Sequence, residues 1–200
     1  MEPSSTLICI PDISGFTRFM TKVDFKLGFK VIPSLLNNII YSNEIGLKIS
    51  EIEGDAVLFY RQGALPSLKT LIEQCKYFYN EFYVHLEELR KTNGDSKNAA
   101  RIPQILGLKI VLHFGEEVAH VPIGNHIKLI GEDIIAAHRL LKNEVPVEEY
   151  ILLSEELLNQ YRKDVDELVA WTEIKEGSIL DEHIGEVPFH YVPLAPLKYE

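Results

Sequence analysis

Between residues 65 and 90 apolar side chains recur every three or four positions: Leu68, Leu71, Ile72, Cys75, Phe78, Tyr79, Phe82, Leu86 and Leu89. That period predicts one long helix with a single apolar stripe. At its full length such a helix extends about 40 Å and needs a broad apolar surface to lie on. The chain offers that surface as short, nearly all-apolar runs. Residues 6–10 (TLICI) end at Pro11-Asp12, and residues 106–114 read LGLKIVLHF. Runs this short read as strands buried on both faces.

The other segments fit the same plan. Residues 16–20 open a helix after a Ser14-Gly15 turn, and a longer helical pattern covers 26–43, with Pro33 near its start. Residues 46–50 and 56–60 flank Glu53-Gly54-Asp55 and read as a β-hairpin. The polar stretch 91–101 is a loop within the domain. Gly115-Glu116 is expected to turn the 106–114 strand into a returning partner at 118–123. A helix over 130–141, a strand at 150–153 and a helix over 154–161 with Ser154 as N-cap follow. Residues 168–174 and 188–192 are expected to pair as closing strands. The order β-α-α-β-β-α-β-β-α-β-α-β-β predicts a mixed sheet with helices packed on it, an α+β arrangement in one domain over residues 1–200.

Composition narrows the partners. With 20 basic and 30 acidic residues the formal charge is −10, so nucleic acid is not expected as a partner. Neither a signal peptide nor a membrane span is legible, so the expected location is cytoplasmic with no membrane partner. Cys9 and Cys75 sit among apolar residues and read as buried thiols.

Two acidic residues stand out. Asp12 follows a buried strand and precedes Ser14-Gly15; Asp55 lies in a hairpin turn. Each has an ordinary reading as a turn former or helix cap. Each also fits a site where one or two carboxylates hold a divalent cation beside substrate phosphates. The backbone of Ser14, Gly15, Phe16 and Thr17, opening a helix, suits a phosphate.

Five blocks then share one resemblance. Pro11-Asp12-Ile13-Ser14-Gly15-Phe16-Thr17, Gly54-Asp55-Ala56-Val57-Leu58-Phe59, the 108–116 strand, the 131–140 segment and Ile151-Leu152-Leu153-Ser154 resemble, in order, blocks of the class III nucleotidyl (adenylate/guanylate) cyclase catalytic domain. The resemblance implies a ferredoxin-like fold working as a homodimer on a nucleoside triphosphate. It implies two Mg2+ or Mn2+ ions held by Asp12, Asp55 and the Ile13 carbonyl, and a catalytic arginine at Arg139. It also implies base recognition by the residues at Glu51 and Lys128. Glutamate at the first position resembles the guanylate type; Lys128 fits neither usual pattern, and the two could instead form a cross-strand ion pair. The family's asparagine and terminal-phosphate lysine positions hold Ile135 and Ile184, which donate no hydrogen bond. Two functions follow: a divergent cyclase making a 3′,5′-cyclic nucleotide and pyrophosphate, or a catalytically weak module that binds nucleotide or a partner and regulates. A purely structural dimerisation domain is a third reading.

Overall fold

The computed structural model describes residues 2–161 and 168–199. Its organising element is β1 (Ser4–Ser14), which runs antiparallel between β3 (Ala56–Gln62) and β4 (Gly107–Ile123). The run from Leu7 to Ile10 is apolar throughout because both of its faces are buried. Leu7, Cys9 and Ile13 enter one core, and Ile8 and Ile10 enter the other. The first core lies under α1 (Phe16–Lys22), α2 (Phe25–Tyr41) and α3 (Leu68–Thr92). The second lies under α5 (Glu132–Leu140), which contributes Ile134, Ala137 and Leu140.

Among the described residues eight strands form the sheet. The order is β2 (Lys48–Glu53), β3, β1, β4, β6 (Tyr150–Ser154), β8 (Gly185–Pro193) and β7 (Lys175–Asp181), with β5 (His126–Ile130) paired to β4 beyond this path. The β4–β6 pair is parallel, and the others are antiparallel. The α+β fold expected from the sequence is therefore present. Two short helices complete it, α4 (Ile102–Ile105) and α6 (Glu155–Leu158), the latter capped by Ser154 Oγ accepting from Leu157 N at 3.2 Å.

Three expectations are corrected. The chain does not turn at Gly115-Glu116: β4 runs on to Ile123 and turns at Gly124, which takes φ +59°. Gly115 marks crowding instead, since a Cβ there would stand 2.6 Å from the Cβ of Asp133. The strand expected at 168–174 lies at 175–181. Val169 is buried, and Leu168, Trp171 and Ile174 pack on the first core, so their apolar character reflects packing, not pairing. Finally, the end of the 91–101 loop is ordered as a 3-10 turn (Ala99–Arg101) that buries Ala99 and leads into α4.

Candidate functional site

The β2–β3 turn contains only Gly54 and Asp55, and Gly54 takes φ +60°, a conformation that glycine adopts without strain. In the antiparallel register Asp12 lies opposite Ala56, so the turn sets Asp55 beside the end of β1. Ile13 N–H donates to the Asp55 carbonyl at 2.9 Å and fixes that contact. Asp12 and Asp55 both line a cleft of about 750 Å3, together with Glu51, Glu53, Lys109 and His138.

The electrostatics of this cleft are unbalanced. Asp12 is 13% exposed, and burial pushes its carboxyl up to about 6. Lys109 Nζ, 3.3 Å from Asp12 Oδ2, offsets part of that rise, while the charge of Asp55 adds to it. Burial raises Asp55 as well. Two desolvated carboxylates sharing one lysine, with backbone oxygen nearby, make a hard-oxygen donor set suited to magnesium or manganese.

The raised carboxyl makes a stability prediction for the metal-free protein. A carboxyl whose folded value lies above its unfolded one keeps its stabilising contribution below the unfolded value, near 4, and loses it as pH rises towards 6. A shift of this size corresponds to about 3 kcal/mol. Denaturant titrations in chelator should show wild type losing stability over that window. Asp12→Asn should flatten the slope; an unchanged slope would remove Asp12 as its source.

The Ser14–Thr17 turn adjoins the carboxylates. Gly15 takes φ +79° as the N-cap of α1, and a Cβ there would lie 2.0 Å from the Ile105 carbonyl oxygen. Ser14, Gly15, Phe16 and Thr17 line, with Asp12, Asp55 and Lys109, a further hollow of about 370 Å3. Among the described residues, Ser14 Oγ is buried without a hydrogen-bond partner.

Glu51 and Lys128 meet directly as an ion pair across β2 and β5, which Ser50 Oγ ties together by donating to the Ile127 carbonyl at 3.0 Å. His138 Nε2 lies 3.6 Å from the other Glu51 oxygen. Glu51, Glu53 and His138 bring ligand atoms within 4.8 Å of one another, but Lys128 already supplies positive charge there.

Arg139 does not line the aspartate cleft. Its Nε sits 2.8 Å from Asp181 Oδ2, and Asp181 Oδ1 accepts from His183 N–H at 2.9 Å and Ile184 N–H at 3.3 Å. Ile135, one turn earlier, is exposed. Ile49 and Ile52 on β2, Ile130 on β5 and Leu180 on β7 are exposed as well.

The histidine of the I-H-x-G-like block, His113, is a strut. It is 1% exposed, its Nδ1 lies 2.8 Å from Ser154 Oγ, and its Nε2 lies 3.7 Å from Asp133. It thereby joins the starts of α5 and α6. Sequence reading missed Lys109, His138 and Asp181. Lys109 carried a signal, because a lysine inside an otherwise buried strand needs a counter-ion. His138 and Asp181 carried none, since only the fold brings them to Glu51 and Arg139.

A family model described as "Protein of unknown function (DUF2652)" matches residues 32–150. The uncharacterized protein Rv2561/Rv2562 of Mycobacterium tuberculosis is 31% identical over 165 residues, covering 82% of this chain and 74% of that protein. Among solved structures, the guanylyl cyclase Cya2 is similar at TM-score 0.65 and 17% identity, over 96% of this chain and 94% of that one. The adenylyl cyclase CyaB from P. aeruginosa is similar at TM-score 0.62 and 16% identity, over 96% and 95%. A bacterial light-regulated adenylyl cyclase is similar at TM-score 0.64 and 15% identity; it covers 100% of this chain, which spans 55% of that longer one. These identities speak for the fold alone. With a family model matching more than half of its length and a relative at 31% identity, the chain belongs to the DUF2652 family, and it is built on the fold of the nucleotidyl cyclase catalytic domains.

Proposed function

We propose that the chain is a divergent metal-dependent nucleotidyl cyclase, with residues 1–200 acting as one catalytic module that works in pairs. The observation that carries this reading is the meeting of Asp12 and Asp55 at adjoining strand ends over one cleft, on a cyclase fold. Asp12, Asp55 and the Ile13 carbonyl would hold one or two divalent cations, which when bound supply charge neutralisation at the triphosphate. The Ser14–Thr17 backbone faces the phosphates, while Glu51 and Lys128 lie along the cleft edge where a base would sit. In the reaction the ribose 3′-oxygen forms a bond to the α-phosphorus, its proton is lost to solvent, and the bond to pyrophosphate breaks.

The separation of Arg139 from the aspartates favours a site shared between two copies. In one chain the arginine faces Asp181, and Ile135, one turn before it on α5, is exposed and free to meet a second copy. Across that contact, Arg139 of the second copy would meet phosphates held by Asp12 and Asp55 of the first. A second reading, a regulatory module with little turnover, is favoured by Ile135 and by the closed Glu51–Lys128 pair.

Incubation with each of the four nucleoside triphosphates and manganese, followed by mass spectrometry, separates the two readings. A cyclic product supports the enzyme; tight binding without product supports the module. For specificity, GTP should bind more tightly than ATP, because a free Glu51 carboxylate accepts from the N1 and N2 donors of guanine. Glu51→Lys should cut that preference by about tenfold, the worth of one good charge-assisted contact. Equal affinities before and after the change would leave Glu51 as a structural partner of Lys128.

A further inference from the structure

The charge of the chain is unevenly spread. Segments 22–30 and 90–101 hold seven of its twenty lysines and arginines but only two of its thirty acids. The fold brings these segments together. Lys26 and Lys30 on α2 form one wall of a groove of about 330 Å3, and Asn93, Asp95 and Ser96 form the other. Lys30 Nζ donates to Asn93 Oδ1 at 3.2 Å across it. One of the two acids, Asp24, is engaged as the N-cap of α2, accepting from Leu27 N–H at 3.0 Å.

Beside this basic corner two aromatic rings stand in water. Phe25 and Phe29, one turn apart on α2, are 78% and 69% exposed and stack at 6.0 Å between centroids. Neither ring forms a wall of the groove. Phenyl rings projecting from a helix flanked by Lys22, Lys26 and Lys30 have the layout of a surface-seeking segment: apolar tips to enter the headgroup boundary, ammonium groups beside them to meet lipid phosphates.

We propose that this corner, α2 with the 90–101 segment, docks on an anionic lipid bilayer surface. This revises the expectation that the chain has no membrane partner, and it needs no spanning segment. None of the helices among the described residues is long and apolar enough to cross a membrane. The local excess of cations selects the ligand: an anionic surface attracts each lysine within a Debye length, whereas the acidic remainder of the chain is repelled and turned outward. The two rings add apolar burial that a soluble polyanion cannot provide. Binding is reversible and salt-sensitive, because two rings and a few lysines fall short of a permanent anchor.

The test is co-sedimentation of the full chain with vesicles of phosphatidylcholine alone or mixed equally with phosphatidylglycerol. The chain should pellet with the mixed vesicles only, and added salt should release it. Phe25→Ser with Phe29→Ser, and separately Lys26→Glu with Lys30→Glu, should each lower the partition by about tenfold or more. All four side chains are exposed, so thermal melting should confirm that the variants stay folded. The proposal is overturned if the wild type stays in the supernatant, if it binds both vesicle types alike, or if the phenylalanine pair proves dispensable, which leaves only general polyanion binding. It is equally overturned if light scattering shows that the same changes abolish self-association instead, making the patch a contact between copies.

Discussion

Asp55→Ala is expected to abolish the proposed metal-dependent binding of GTP, with an affinity loss of at least about 100-fold. Groups that merely orient a metal ligand are worth 10–100-fold, and Asp55 would be a ligand itself. Calorimetry in manganese, with and without GTP, measures this, and unchanged affinity would remove Asp55 from the site. The same variant also tests sharing. Asp55→Ala and Arg139→Ala homodimers should each be inactive if every site needs one residue from each copy. Mixed in equal amounts with free exchange, half the dimers contain one of each chain and have one intact site of two. About a quarter of wild-type turnover should therefore return. If wild type turns over and the mixture stays at the level of its parents, the site lies within one chain.

The second large effect lies away from the cleft, at Glu149. This carboxylate is 9% exposed, accepts from Tyr79 Oη at 3.2 Å and from Tyr83 Oη, and pairs with Lys198 Nζ at 2.7 Å. Its backbone carbonyl accepts from Leu194 N–H at 3.0 Å. Burial and the neighbouring Glu149 hold the Tyr83 hydroxyl well above the usual tyrosine range, so it stays a donor at any working pH. The cluster pins the segment after β8 to α3. Glu149→Ala takes an acceptor from both buried tyrosine hydroxyls and a partner from the more exposed Lys198, at an expected loss of about 2–3 kcal/mol. For a chain of this size the midpoint of thermal unfolding should drop by about 5–10 °C. A shift below about 1 °C for Glu149→Ala would show that the cluster does not brace the fold.

How far the sequence reached differs between the sheet and the site. β1 was legible because a strand buried on both faces must be apolar on both, and α3 was legible because its stripe repeats with helical period. The errors came where one signal had two physical causes. Gly115 reads as a turn in sequence, yet the fold uses its missing Cβ to let Asp133 approach. Residues 168–174 are as apolar as a strand but are used as packing. At the site, Asp12 and Asp55 stand out at strand ends beside glycines, but it is the resemblance of the blocks around them that gives them a proposed role. Their neighbours were harder to find. Lys109 reaches Asp12 from β4, and Asp181 reaches Arg139 from the far edge of the sheet. Pairings between distant segments leave no periodic trace along the chain.

The central place of β1 also sets a schedule for biosynthesis. Ile8 pairs with His113 and Cys9 with Leu112, so during synthesis β1 waits about 100 residues for one of its two neighbours. At ordinary elongation rates that wait is about 5–20 s. Throughout it the nascent chain carries Leu7, Ile8, Cys9 and Ile10 with one strand edge open, a segment suited to capture by chaperones. The Asp12 end of the cleft therefore takes its final form only after β4 has been translated.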